Sequence, residues 1–263
     1  MFRSACLRLE QWKDSQRRKP LIIRGARQVG KTHLVRKFAE KAFRNVVEIN
    51  FDWNPEKAVL FQSRNPSEII DLLEIEHGLD IIPGETLIFL DEIQSAPEVI
   101  SLLRYFYESI PELHVIAAGS LLKFALSETG FSMPVGRIEY LYLGPMTFEE
   151  FIRANEPNGK QLVTKLREFN IEDEWPTALH IKYDQIFRKY LSVGGLPEAI
   201  ISYCDQGRST AVRKTLDTLQ QTYQDDFAKY RGRVDYLRLR KTFSALPRLV
   251  GDKLKYSNID REE

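Results

Sequence analysis

Short apolar runs alternate with longer amphipathic segments over the first ~150 residues of the chain. Runs of four to six apolar or alternating residues are typical of strands, whereas apolar residues spaced three and four apart predict a helix. The pattern predicts five strands, Leu21–Arg24, Asn45–Phe51, Thr86–Leu90, Leu113–Ala118 and Ile138–Leu143. Strands that alternate with helices are the pattern of a parallel sheet sandwiched by helices. We therefore predict an α/β fold.

The segments between these strands have helical periodicity. One helix is predicted from Lys31 to Phe43, another from Pro66 to Gly78, and a third after Pro97. Thr147 followed by Glu150 forms a capping box, in which each residue can bond the backbone N–H of the other, and it should begin a further helix.

The strand pattern fades beyond about residue 181, and residues 182–203 and 209–230 are predicted to be helical. Gly194-Gly195-Leu196-Pro197 interrupts the first of these segments. Another helical segment begins shortly before the last residues, which is an unfavourable place for a domain to end. We therefore expect the sequence to be truncated at its C-terminus.

Composition narrows the function classes. Hydrophobic residues make up 43% and charged residues 29% of the 263 residues, which is ordinary for a soluble globular protein. A net charge of +1 gives no whole-chain indication of nucleic-acid or membrane binding. Cys6 and Cys204 lack a CxxC partner and are predicted to be reduced thiols. The sequence has no signal peptide, and no apolar run approaches the ~20 residues that a membrane span needs. We therefore predict a cytoplasmic protein without membrane contact.

The turn between the first strand and the first helix fits the pattern GxxxxGK[ST]. Its residues are Gly25-Ala26-Arg27-Gln28-Val29-Gly30-Lys31-Thr32, and the predicted nucleotide-binding stretch extends to His33. Glycine permits the dihedrals and the close approach that let backbone N–H groups surround phosphates, and the helix that follows adds its positive N-terminal end. We predict that Lys31 reaches the β- and γ-phosphates and that the Thr32 hydroxyl binds Mg²⁺.

A second acidic motif follows the third predicted strand. Four apolar residues, Leu87–Leu90, place Asp91 at the carboxyl end of a buried strand, where α/β sheets bind ligands. We predict that Asp91 holds the hydration shell of Mg²⁺ and that the neighbouring Glu92 is the general base for the attacking water. Adjacent Asp and Glu, with an additional strand between the two motifs, are typical of P-loop ATPases that use a catalytic glutamate.

Other P-loop activities fit less well. The sequence contains neither a DxxG motif after the second strand motif nor an NKxD guanine motif, which disfavours a GTPase. A small-molecule kinase would not need Glu92, and it would transfer phosphate to an acceptor. A nucleotide-dependent switch or adaptor that binds ATP with negligible turnover, in connection with DNA transactions, is the alternative that we keep beside hydrolysis.

Five phrases between residues 18 and 200 make the chain resemble a known family: RKPLIIRGARQVGKT, TLIFLDEIQ, HVIAAGSLL, PVGRIEYLYLGPMTFEEF and LSVGGLPEAI. In this order they resemble the bacterial and archaeal AAA+-type ATPases known as AAA_14, with a DUF4143 C-terminal region. The resemblance implies an ATPase core over residues 1–155, a helical lid over 156–235 and the start of a truncated winged-helix-like segment over 236–263. Full-length members also have a nuclease-like domain, whose function should not be transferred to these residues.

The resemblance also implies roles for two further residues. Ser120 lies at the sensor-1 position, where a polar side chain contacts the γ-phosphate or the water, although it could equally be a helix N-cap. Arg137 matches the family's Gly-Arg pair and is expected to sense the γ-phosphate or to act as an arginine finger for a neighbouring subunit of a homo-oligomer. An ordinary surface arginine is the competing interpretation. Gln94 is typical of the family, but the sequence indicates no physical role for it.

A basic cluster lies close to the end of the sequence: Arg231, Arg233, Arg238, Arg240 and Lys241. Such a cluster can contact a DNA backbone, so the C-terminal region is a candidate surface for a DNA or protein partner. Asp225, Asp226 and Asp235 dilute the charge, which favours a solvated face. The predicted ligands of the chain as a whole are ATP and Mg²⁺.

Overall fold

Five strands pair in parallel in the computed structural model, which describes residues 1–120, 133–170, 172, 174–207, 209–228, 235–251, 253 and 259. The strands are β1 (Leu21–Arg24), β2 (Asn45–Asn50), β3 (Thr86–Asp91), β4 (His114–Gly119) and β5 (Glu139–Tyr142), and their order across the sheet is β2-β3-β4-β1-β5. The predicted α/β fold is thereby confirmed, with the strand ends displaced by about one residue.

Helices cover both faces of the sheet. They are α1 (Ala5–Lys13), α2 (Lys31–Ala42), α3 (Pro66–His77) and α4 (Pro97–Ser109), with short 3₁₀ helices at Pro55–Phe61 and Ile93–Ser95. Alternate residues of each strand enter two separate cores, because successive side chains of a strand point to opposite faces. Ile22 and Ile88 belong to the core beneath α3 and α4, whereas Ile23 and Phe89 belong to the core beneath α1 and α2.

The remaining helices follow the sheet in sequence. They are α5 (Phe148–Asn155), α6 (Gly159–Glu168), α7 (Thr177–Val193), α8 (Pro197–Gln206), α9 (Ser209–Ala228) and α10 (Tyr236–Ala245), followed by a 3₁₀ turn at Leu246–Arg248. α5 begins at the predicted capping box, with Thr147 and Glu150 bonding each other's backbone N–H groups. The sequence pattern did not predict α1, in which apolar and polar residues are poorly segregated, and it did not single out α6 within the helical region that the family resemblance implies.

The chain divides into two compact units, Met1–Ile200 and Ile201–Glu263. The first unit contains the sheet and its covering helices. The second is helical, and within it the rings of Phe227 and Phe243 meet edge to face at 5.2 Å. Of the predicted basic cluster, Arg231 and Arg233 lie outside the described residues. No helix in the described part of the chain is both long and apolar enough to cross a membrane.

Candidate active site

The carboxyl ends of the strands bring the two sequence motifs to one edge of the sheet. Arg24 of β1 is in register with Gly119 of β4, and Asn50 of β2 is in register with Asp91 of β3. Because all five strands are parallel, the residues that follow them emerge at this same edge. The loop after β1 therefore lies near Asp91, although about 60 residues separate them in sequence.

The loop between β1 and α2 has no room for a side chain at Gly25 and has a positive φ at two positions. A Cβ atom on Gly25 would lie 2.2 Å from the carbonyl oxygen of Leu143, so a side chain is excluded there. Gly30 has a φ of +87°, and Gln28 also has a positive φ of 65°, which costs a non-glycine residue about 1–2 kcal/mol. Such a loop directly precedes the N-terminus of α2. This arrangement directs backbone N–H groups towards a bound anion.

Lys31 places its charge inside this loop. Its Nζ donates hydrogen bonds to the carbonyl oxygens of Gly25, at 3.1 Å, and Ala26, at 2.9 Å. Burial lowers the pKa of Lys31, and the nearby carboxylates of Glu92 and Asp91 oppose this shift. A cation held in the loop by carbonyl oxygens alone can exchange them for phosphate oxygens, with which it makes stronger, charge-assisted hydrogen bonds.

Asp91 is the most enclosed acidic group of the site, with 1% of its surface exposed. Its Oδ2 accepts hydrogen bonds from the Thr32 hydroxyl at 2.8 Å and from Asn50 Nδ2 at 3.1 Å. Its Oδ1 is buried and has no hydrogen-bond partner among the described residues. Burial raises the pKa of Asp91, an effect that the Thr32 hydrogen bond opposes.

A buried carboxylate oxygen without a partner, beside a hydroxyl, fits a hard divalent cation. Among the described residues no group of three or more His, Cys, Asp or Glu could hold a metal ion. Mg²⁺ is suited to such a sparse site, because it keeps several waters and uses one or two carboxylates together with substrate phosphates. The residues present therefore fit Mg²⁺, which Thr32 and Asp91 would hold.

Glu92 and Ser120 are joined through Gln94. Glu92 directly follows Asp91 and has left-handed backbone angles, φ 50° and ψ 43°. The Gln94 side-chain amide donates to Oε2 of Glu92, and its Oε1 accepts the backbone N–H of Ser120 at 3.1 Å. The structure thus brings the predicted base and the predicted sensor residue to the same side-chain amide.

Two predicted site residues are not brought to this edge. Arg137 precedes β5 and so lies at the amino edge of the sheet, where it pairs with Glu108 at 2.7 Å. The three residue steps of β5 alone separate it from the carboxyl edge by roughly 10 Å. The expectation that Arg137 senses the γ-phosphate of its own chain is therefore not supported by its position. His33 is exposed on α2 and lines a cavity between α1 and α2, so its side chain is directed away from the loop.

Arg3, which was not predicted from the sequence, holds the loop from the N-terminal segment. Arg3 Nη1 donates to the carbonyl oxygen of Val29 at 2.8 Å and Nη2 donates to that of Gly144 at 2.7 Å. The same guanidinium forms an ion pair with Glu150 at 3.2 Å. No sequence signal distinguishes Arg3 from a surface arginine. Asn50 was missed as well, although its position at the end of a strand beside Asp91 could have indicated it.

Two family models and several solved structures match this chain. Residues 17–152 match the model of the AAA_14 family, an AAA domain, and residues 184–262 match a domain of unknown function, DUF8612. No curated protein matches the sequence. The Walker-type ATPase PABY2304 of Pyrococcus abyssi is similar in structure, with a TM-score of 0.54, 18% identity, and coverage of 97% of this chain and 85% of that one.

The ORC2 protein of Aeropyrum pernix is also similar, at 16% identity over 98% of this chain and 84% of that one, with a TM-score of 0.42. At 18% identity the Pyrococcus abyssi structure establishes the fold alone. The family match covers more than half of the chain and includes the loop, Asp91, Glu92 and Ser120. The chain belongs to the AAA_14 family of AAA domains, which are ATP-binding proteins of the P-loop ATPase type.

Proposed function

We propose that this protein hydrolyses ATP with the help of Mg²⁺. The observation that carries the proposal is the Thr32–Asp91 hydrogen bond of 2.8 Å beside the buried, unpartnered Oδ1 of Asp91. This hydrogen bond joins the phosphate-binding loop to the acidic strand end, and Glu92 directly follows Asp91 in sequence. A glycine-rich turn of purely structural purpose would not need a buried carboxylate against its helix.

The loop and Lys31 bind the phosphates. The N–H groups at the start of α2 and the Lys31 ammonium provide hydrogen-bond donors and positive charge to the β- and γ-phosphates. Thr32 and Asp91 would hold Mg²⁺, which when bound neutralises charge on the phosphate oxygens. Asn50 keeps the Asp91 carboxylate oriented through the second bond to Oδ2.

Glu92 orients the attacking water and accepts its proton. As a carboxylate it can only accept hydrogen bonds, so a water between it and the γ-phosphate would direct its oxygen towards phosphorus. Ser120 lies at the end of β4 and is 1% exposed, which fits a residue that senses the γ-phosphate from within the protein.

A second subunit completes this proposal. Because Arg137 lies at the amino edge of its own sheet, only a neighbouring copy could present it to a nucleotide. We propose a homo-oligomer in which Arg137 acts in trans, and in which hydrolysis moves the helical region after residue 155 relative to the core. The lid, the winged-helix start, the DUF4143-type region and a DNA or protein partner for the C-terminal region stay predictions from the sequence resemblance.

The test measures phosphate release from Mg-ATP over a series of protein concentrations, for the wild type and for Glu92→Gln. Glu85→Gln is the matched control, because Glu85 is a solvent-exposed carboxylate paired with Arg44 before β3. We expect release that falls roughly 10²–10⁴-fold in Glu92→Gln and is retained in Glu85→Gln, and a rate per subunit that rises with concentration. ATP binding without release would instead support the switch, and labelled phosphate found on an acceptor would support a kinase.

A further inference from the structure

The three residues after Glu92 form a turn that returns a side chain to it. Ile93–Ser95 is a single 3₁₀ turn, closed by the Ser95 N–H bonding the carbonyl oxygen of Glu92 at 3.0 Å. Ile93 is completely buried and therefore fixes the turn in the core. Gln94 is the middle residue of this turn, and its side chain is consequently directed back to the Glu92 carboxylate.

The chemistry of an amide matches the two groups that Gln94 joins. The Glu92 carboxylate can only accept a hydrogen bond and the backbone N–H of Ser120 can only donate one, so a connecting side chain must do both. The Gln94 amide donates with Nε2 to Glu92 and accepts with Oε1 from Ser120. These two partners fix the orientation of the amide, since the reversed amide would put donor against donor and acceptor against acceptor.

The backbone of Glu92 needs such a connection. A non-glycine residue with φ 50° and ψ 43° is disfavoured and persists only where its surroundings hold it. The carboxylate of Glu92 is part-exposed, so without Gln94 its side chain would be free to take other rotamers. Since a general base must lie within hydrogen-bond reach of its water, a fixed carboxylate has a direct catalytic advantage.

We propose that Gln94 is the positioning residue of Glu92, and that it fixes this carboxylate relative to the end of β4 through the backbone N–H of Ser120. The inference rests on the proposed hydrolysis of ATP. Gln94 acts through Glu92, because its two side-chain hydrogen bonds go to Glu92 and to the backbone N–H of Ser120. Its loss should therefore reduce turnover while ATP binds as before.

The experiment compares Gln94→Met and Gln94→Glu with wild type. Methionine keeps the length of the side chain but can neither donate to Glu92 nor accept from Ser120 as the amide does, and glutamate keeps only the acceptor towards Ser120. Gln62→Met is the matched control, because Gln62 is an exposed glutamine after the 3₁₀ helix Pro55–Phe61. For each protein the experiment measures kcat and KM of phosphate release, and the Kd and stoichiometry of ATP binding.

We expect both Gln94 variants to lower kcat roughly ten- to hundredfold, a part of the 10²–10⁴-fold that a general base contributes. The Kd and stoichiometry of ATP binding should stay at the wild-type values, which a merely unfolded fraction would not allow. In a Glu92→Gln background, Gln94→Met should cause no further loss, because residues that act as one unit are not additive.

Three results would overturn the inference: an unchanged or increased kcat in Gln94→Met, an equal further loss in the Glu92→Gln background, or a weaker ATP affinity that accounts for the whole effect. Should wild type and Glu92→Gln both release no phosphate, the proposed function fails and this inference fails with it. That outcome is distinguishable, because failure of the inference alone leaves a wild type that hydrolyses ATP.

Discussion

The buried pair of Arg3 and Glu150 offers the sharpest test of how the phosphate loop is held. Glu150 is 3% exposed, and its Oε1 accepts hydrogen bonds from the backbone N–H and the hydroxyl of Ser4 at 2.6 and 2.7 Å. Its Oε2 accepts the backbone N–H of Thr147 and pairs with Arg3. Every one of these partners is a donor, so all of them require a carboxylate. The perturbation that removes this match with the least change of shape is Glu150→Gln.

The expected cost follows from the burial of the pair. The new NH₂ group of the glutamine faces hydrogen-bond donors whichever carboxylate oxygen it replaces. The substitution also leaves the charge of Arg3, a residue that is only 8% exposed, without a counter-charge. Breaking a buried ion pair by removing one partner costs about 3–5 kcal/mol. For a unit of 150–250 residues each kcal/mol moves the melting temperature by ~2–4 °C, so we expect a decrease of at least roughly 6 °C.

The assay is thermal unfolding followed by circular dichroism, with Glu149→Gln as the control. Glu149 is the neighbouring residue of the same helix, and it pairs with Arg167 at the surface. Surface pairs contribute little, so the control should change the melting temperature by less than ~2 °C. Because Arg3 also bonds the carbonyl oxygen of Val29, Glu150→Gln should weaken ATP binding too. A decrease no larger than that of Glu149→Gln would refute the reasoning.

Three further predictions concern the loop, the metal contact and pH. Gly25→Ala should lower the free energy of unfolding by about 1–3 kcal/mol and the affinity for ATP at least ~tenfold, because the new Cβ would meet the carbonyl oxygen of Leu143. The free energy is measured by urea unfolding and the affinity by ATP titration. Gly144→Ala is the control, and it should change neither quantity because the space around its Cβ is open. Asp91→Asn should remove the dependence of ATP affinity on Mg²⁺, measured by titration with and without the ion, and a retained dependence would contradict the assignment. Burial lowers the pKa of His114 to about 4, so the unfolded chain binds more protons than the folded one between pH ~6.5 and 4. The free energy of unfolding should therefore fall by up to ~3 kcal/mol as the pH drops through this window. His114→Phe should reduce that fall, and an equal fall in the variant would exclude His114 as its source.

Much of the fold could be predicted from local patterns. The strand and helix periods are properties of neighbouring residues, so the five strands were located correctly from the sequence to within about one residue. The phosphate loop was equally accessible, since its conformation depends on glycines at fixed spacing within eight residues. The capping box at Thr147 and Glu150 was found for the same reason.

Contacts between distant segments could not be predicted in this way. Arg3 and Glu150 are 147 positions apart, and no spacing rule relates an arginine near the N-terminus to the first turn of α5. The same holds for Gln94, which had no assignable role until β4 placed the Ser120 N–H beside it. The family motif around Arg137 predicts a nucleotide contact without distinguishing its own subunit from a neighbouring one, and only the sheet places Arg137 at the amino edge of its own chain.

The sequence by itself determined the strands, most of the helices and the chemical character of the loop, because each depends on dihedral preferences and side-chain periods along a few consecutive residues. The tertiary structure alone decided which groups meet. Strand order and register placed Thr32 against Asp91 and left Oδ1 of Asp91 without a partner, and burial of that carboxylate raised its pKa. Hydrogen bonding and desolvation depend on distances through space, and those distances are set only when the sheet has assembled.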